Sequence, residues 1–322
     1  MKKTMPFIAS LAALIICPIF GYADITINEI FTTDTQANFI FWQLRIPRTL
    51  LCWLCGGGLA IGGMAFQALF RNDLASPFTL GISSGAALGV AILTVFEIQI
   101  ISESGSVIYA AGAFLGSLLA ISFILIFHKL RPRAPIGDLL LAGVAVSFIF
   151  NSLILFIQYM ARPDDIARMI YWMMGGMQII GYTPLLWILP LIIPAAYILY
   201  SLRRELDLLF SCEQLAATRG VEIKKCRTKI FLAVSLMSAG LVSLCGPIGF
   251  VGLIVPHICR RIYGASHRQL FWQSLFTGAA FLCICDLFCR VLPKSGELPI
   301  GIITALIGTP FFVFLIFKKS RL

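Results

Sequence analysis

An aspartate and an arginine four residues apart, Asp286 and Arg290, interrupt a largely apolar stretch from 270 to 290 of a 322-residue chain. On a helix that spacing puts both side chains on one face, where they can pair with each other. Charges inside an apolar segment are costly and point to function by default. A self-contained ion pair explains the same spacing, and both readings stay open here. Other residues that could do chemistry do not assemble. Cys52 and Cys55 form a CxxC inside an apolar run with no second pair, and Cys17, Cys245, Cys259, Cys283, Cys285 and Cys289 also lie in apolar runs. Such cysteines read as small buried hydrophobes, with neither a disulfide framework nor a zinc site. The histidines, His128, His257 and His267, are dispersed, and HExxH and GxSxG are absent. His257 follows Pro256 at the end of an apolar run, which suits packing or an interfacial position. No GxxxxGK[ST] occurs, so this chain has no phosphate loop of that kind and is not expected to hydrolyse ATP. The sequence therefore predicts no enzyme, no bound metal and no cofactor held by the chain itself.

The elements that carry these residues are read from composition. Apolar residues make up 59% of the chain and charged residues 12%, with a mean hydropathy of +0.93. A soluble domain carries about 25% charged residues. Apolar windows fall at 5–22, 50–70, 81–96, 107–128, 139–160, 184–202, 230–247, 249–263, 270–290 and 298–317. Most approach the ~20 residues needed to cross a bilayer. This predicts an all-α polytopic membrane protein with about ten transmembrane helices. With the N-terminus placed inside, the basic residues left outside are Arg45, Arg48, Arg162, Arg168, Arg290 and Lys294, against nineteen inside. That asymmetry sets orientation and puts both termini in the cytoplasm. The net charge of +10 then reports on topology and lipid headgroups, and no nucleic-acid groove is indicated. Met1-Lys2-Lys3 and the run to Tyr22 imitate a signal peptide, with Gly21-Tyr22-Ala23 as a cleavage site. The length of the run favours an uncleaved first span.

The stretch 246–264 organises the rest: Gly246, Gly249 and Gly252 recur every three residues between Pro247 and Pro256, and the run ends in Arg260 and Arg261. Small residues allow close helix approach in lipid, so a closely packed, Pro-kinked helix ending at a basic membrane face is expected. Gly81, Gly85 and Gly89 share a face, as do Gly112 and Gly116. Residues 161–183 predict a short amphipathic helix on the outer surface. A loop at 203–229 predicts a short helical piece ending at Gly220, then a basic patch. It is either a lipid-facing basic loop or a docking surface for a cytoplasmic partner.

Taken jointly, FWQLRIPRTL (41–50), residues 62–89, YWMMGG (171–176), GPIGFVGLIVPHICR (246–260) and GELPIGIITALIGTPFF (296–312) resemble one family. It is the FecCD-type permease subunit of binding-protein-dependent ABC importers for iron-siderophores, haem and cobalamin. The resemblance runs from about residue 40 to the C-terminus. It implies one permease domain over 1–322 of type II importer architecture in the bacterial inner membrane. It also implies a permease dimer (a homodimer is expected), two cytoplasmic ATPase subunits that use the ATP, and an extracytoplasmic substrate-binding protein. By resemblance, residues 207–229 supply coupling helices, with Glu213, Ala216 and Gly220 fitting the pattern. Arg45, Arg48 and Arg290 match outer-face arginines that meet acidic residues of the binding protein. The fifth and tenth spans line the path. The chain departs from the pattern at Asp73, where Asn-Pro-Leu-Ala reads Asn72-Asp73-Leu74-Ala75, and at Cys212, Ala217 and Arg219. The rival classes are an ion-gradient-driven secondary transporter of a small organic solute and a non-transporting scaffold or receptor.

Overall fold

The computed structural model describes residues 4–21, 27–32, 35–96, 105–131, 135–293 and 296–319, and all regular elements among them are helical. Each apolar window lies on a helix. In chain order these are α1 (Met5–Ile16), α2 (Ile46–Phe70), α3 (Ile82–Val95), α4 (Gly105–Leu130) and α5 (Ile136–Met160). Then follow α6 (Pro163–Met173), α7 (Thr183–Ser201), α8 (Arg203–Ser211), α9 (Glu213–Thr218), α10 (Ile223–Cys245), α11 (Val251–Tyr263), α12 (His267–Val291) and α13 (Ile300–Lys319). Among the described residues six helical runs, those containing α2, α4, α5, α7, α10 and α12, are long and apolar enough to cross a membrane. Met5–Ile16, Ile82–Val95 and Ile300–Phe314 are shorter apolar helices, and α11 has 13 residues, about 20 Å of rise. About ten transmembrane helices were expected; six runs among the described residues reach full spanning length and the other apolar helices are shorter.

α2 is the central post. Its apolar stretch is 83% buried, against 72% for α10, 56% for α12 and only 17% for α5. Glycines make this centre dense. A Cβ on Gly56 would enter the Gly278 carbonyl of α12, and one on Gly63 would enter the Gly252 carbonyl of α11. α3 and α4 meet in the same way, Gly85 against Gly116 and Gly89 against Gly112, as their spacing predicts. Backbones that touch gain dispersion contacts that lipid cannot offer in their place.

The second span begins earlier than its apolar window. Helix runs from Gln36 through a π turn at Ile40–Arg45 into α2, although Pro47 sits in its first turn. Proline has no N–H and crowds the carbonyl four residues before it. The π turn accommodates the ring, and the orphaned Gln43 carbonyl accepts a bond from Gly181 N–H at 2.8 Å. Pro256 in α11 is treated alike: Gln67, fully buried on α2, donates its amide to the Gly252 and Leu253 carbonyls at 3.4 and 3.1 Å.

The expected Pro-containing helix ending in Arg260 and Arg261 is α11, but it covers only the second part of 246–264; residues 246–250 are a break that separates it from α10. α10 stops at Cys245 and α11 starts at Val251, with Gly246 at φ +66° and Phe250 at φ +68°. A left-handed phenylalanine is strained and persists only where its surroundings hold it. Here its ring lies against Gly308 of α13, where a Cβ would collide. The broken backbone is satisfied by another break: Gly176 N–H donates to Cys245 C=O at 2.8 Å. Ile300 and Gly301 N–H donate to Gly175 and Met174 C=O at 3.1 and 3.0 Å. Three sequence motifs thus meet in one knot of irregular backbone, which is tolerable at membrane depth only because the segments bond one another. Gly249 sits in open space and is not part of that constraint.

Candidate functional site

Charged and polar side chains collect at the two ends of the bundle. At one end Asp286, 1% exposed, lies between two arginines. Arg48 points Nε and Nη2 at its Oδ1 at 2.9 and 2.8 Å, and Arg290 brings Nε to 3.0 Å from its Oδ2. The second contact is an ion pair without hydrogen-bond alignment, since both atoms lack a hydrogen-bond partner. The expected Asp286–Arg290 pair therefore exists inside a larger network. Arg48 Nη1 also donates to both oxygens of Glu297 at 2.8 and 2.7 Å, a contact that no sequence spacing signals.

Three arginines against two carboxylates leave one positive charge in excess. The carbonyls at the end of α1 face it: Arg290 donates to Cys17 and Phe20 at 3.2 and 3.1 Å, and Arg45 to Ile19 and Pro18 at 3.0 and 3.4 Å. Cys17 caps α1, where the helix end carries partial negative charge, and Pro18, Ile19 and Phe20 form the segment that follows, so the two arginines hold the chain as it leaves α1. This corrects the expectation that Arg45, Arg48 and Arg290 aim outward. Arg45 and Arg290 are 6% and 4% exposed and hold intramolecular partners, and only Arg48, at 12%, reaches the rim beside Glu297. The spacing of Arg45 and Arg48 about Pro47 could not reveal a partner more than 200 residues away. The outside residue Lys294 and the cleavage-like Tyr22 and Ala23 lie outside the described residues.

At the other end the loop expected at 203–229 is α8 and α9. α9 ends in a Schellman turn: Val221 N–H donates to Ala216 C=O at 3.1 Å and Gly220 N–H to Ala217 C=O at 3.0 Å. Gly220 adopts φ +79°, which a residue with a Cβ resists. Ala216 is fully buried, so it packs α9 down and offers no surface to a partner. Glu213 pairs with Arg227 of α10 at 2.6 Å and remains 44% exposed. Asp207 of α8 accepts from the backbone N–H of His267 at 2.7 Å and meets its Nδ1 at 2.6 Å, capping α12. Burial raises the Asp207 pKa, but the three His267 interactions outweigh it and hold the carboxyl below its ordinary value. Asp73, the residue in the usual proline position, pairs with Arg260 at 2.8 Å. Arg260 also donates to Gln67 at 3.2 Å and lies 4.7 Å from the Phe210 ring. α2, α8, α11 and α12 are thereby tied to the segment carrying α9. Sequence reading missed Asp207, His267 and Gln67 because each has its partner on another helix.

Cys212 precedes α9, and the other cysteines are buried. The N–H groups of Leu215 and Gln214 face its thiol and lower its pKa, without reaching hydrogen-bond geometry. A depressed thiol pKa means that thiolate is present at a pH where an ordinary thiol is still protonated. Iodoacetamide labelling of Cys212 is therefore expected to rise at lower pH than for a free cysteine peptide, and to slow when a partner covers α9. A profile that coincides with the peptide's would contradict this cap.

The model of the FecCD transport family matches residues 9–318. The chain belongs to the FecCD transport family. The hemin transport system permease protein HmuU of Yersinia pestis is 33% identical over 303 residues, covering 94% of this chain and 90% of that one. The vitamin B12 import system permease protein BtuC of Escherichia coli is 33% identical over 312 residues, covering 97% and 93%. Among solved structures, an inward-facing metal-chelate type ABC transporter superposes with a TM-score of 0.86 at 29% identity, covering 98% of both chains. As a FecCD member the chain is a multi-pass membrane protein of a family of transport permease subunits.

Proposed function

We infer that the chain is the membrane-spanning subunit of a binding-protein-dependent ABC importer that carries a metal chelate across the inner membrane. The observation that carries this reading is the family match over nearly the whole chain. It is supported by α8 and α9, a compact helical piece pinned by Asp207, Arg227 and Arg260 at one end of the bundle. In this reading both termini face the cytoplasm, all ten apolar helices sit in the membrane, and two copies meet about α5 and α13. α5 leaves Leu141, Phe148, Leu155 and Tyr159 exposed, apolar surface that lipid or a second copy must cover. Two ATPase subunits dock on α9 and its surroundings, with Glu213 exposed there and Ala216 and Gly220 fixing its shape. Binding and hydrolysis of ATP in those subunits rock the copies between outward- and inward-facing states, and no bond in the substrate changes.

The extracytoplasmic binding protein docks at the opposite end. Its acidic lobes meet Arg48 at the rim, while Arg45 and Arg290 act from behind by holding α1 and Asp286 in place. The gradient-driven alternative needs a buried acid free to exchange a proton or bind a cation. Among the described residues Asp286 is the only acidic residue buried as a whole, and two arginines occupy it; Glu205, whose Oε2 is also enclosed, sits on α8 outside the long apolar helices.

The named relatives are permeases for hemin and for vitamin B12, so these lead the substrate candidates. An iron-siderophore, the expectation from the sequence resemblance, completes the panel. Uptake of hemin, cobalamin and a ferric hydroxamate is compared in cells carrying the chain with its cognate ATPase and binding protein. One chelate is expected to accumulate; accumulation of none, with all subunits present in the membrane, would contradict the assignment.

A further inference from the structure

A cavity of about 470 Å³ opens where the end of α4 and the start of α5 meet α9 and α10. His128, Arg131, Lys224 and Arg227 converge on it, and Glu213 is its only acid. Glu213 is already paired with Arg227 at 2.6 Å, so it neutralises at most that one cation. Among the described residues His128, Arg131 and Lys224 form no ion pair, and the Arg227 Nε is buried with no hydrogen-bond partner. Phe127 and Leu139 form an apolar wall on the same cavity. The first turn of α10, at Ile223 and Lys224, has no side-chain cap and brings free N–H groups to the mouth.

Basic residues at this end of the bundle are what the positive-inside bias alone produces, as a dispersed field. This cluster differs in having a volume, an apolar wall and donors left without acceptors. Convergent Arg and Lys donors beside a helix N-terminus suit a phosphoryl group, whose oxygens accept several charge-assisted bonds at once. α4 and α5 are both long apolar helices whose ends define the rim. On the reading proposed above, in which α4 and α5 cross the membrane, the cavity lies at the level of the headgroups. We propose that it binds the phosphate of an anionic phospholipid of the cytoplasmic leaflet, seated between the α4–α5 corner and α9. A lipid held there would brace α9, whose Glu213–Arg227 pair forms part of the cavity lining.

Native mass spectrometry of the purified full chain, titrated with phosphatidylglycerol or phosphatidylcholine, tests this. Phosphatidylglycerol is expected to be retained in preference, and Arg131→Gln combined with Lys224→Gln should weaken that retention by about tenfold or more. Both side chains are exposed, so the fold should persist. A charge-matched control, Lys225→Gln with Lys229→Gln, lies off the cavity and should retain the preference. Three results would overturn the proposal: no preference for the anionic lipid, an equal loss in the control, or full displacement of the lipid by millimolar inorganic phosphate. The last would identify a site for free phosphate.

Discussion

Replacing Asp286 with asparagine is expected to destabilise the folded chain by ~3–5 kcal/mol, the usual consequence of stranding a buried charge. Asp286 is 1% exposed and is shared by Arg48 and Arg290. The two arginines are not left equally exposed to the loss. Among the described residues Arg48 keeps its contact with both Glu297 oxygens, whereas Arg290 keeps the carbonyls of Cys17 and Phe20 and no carboxylate. Adding Arg290→Gln to Asp286→Asn should therefore recover more stability than adding Arg48→Gln. Thermal unfolding of the detergent-solubilised variants measures this order. A double variant no more stable than the worse single one would show that the ion pair does not account for the cluster.

The second large effect belongs to the helix crossings. Gly63→Val should lower folded yield and stability by at least ~1–3 kcal/mol, the range for overpacking a dense interior. A side chain there meets the Gly252 backbone carbonyl, which has no rotamer by which to yield. α2 and α11 would have to separate, disturbing the Gln67 bonds that satisfy α11 around Pro256. Gly249→Ala is the control, since nothing lies within 4 Å of an added Cβ there and the change should stay within about 0.5 kcal/mol. Equal effects at Gly63 and Gly249 would mean that the close approach is not what the glycine provides.

These two sites show what the sequence discloses and what it withholds. Gly85 against Gly116 and Gly89 against Gly112 were legible, because a helical repeat of small residues marks a face whatever it meets. Asp286 and Arg290 were legible as a pair because their partner lies one turn away. Arg48, Glu297 and the end of α1 were not, since their meeting depends on which helices neighbour one another and not on local spacing. Arg45, Arg48 and Arg290 were expected at the surface for the same reason: hydropathy locates the end of a span, but not whether another helix covers it. The break at 246–250 was visible as glycine and proline, yet its form required Gly175 and Ile300, two distant segments with unbonded backbone of their own. The depressed carboxyl of Asp207 likewise rests on His267, sixty residues away. Its contribution to stability is complete above the ordinary carboxylate pKa and is lost as pH falls through the lower folded value. The clasp between α8 and α12 should then hold throughout the physiological range.

Transport through this chain is proposed to draw its energy from a partner ATPase. Proteoliposomes containing the chain alone, the chain with its cognate ATPase, and both with the binding protein and chelate test it directly. The chain alone should hydrolyse no ATP. The full assembly should accumulate chelate only when ATP is on the ATPase side, unaffected by collapsing proton and sodium gradients. Accumulation that needs no ATPase subunit and follows an imposed ion gradient would contradict the claim.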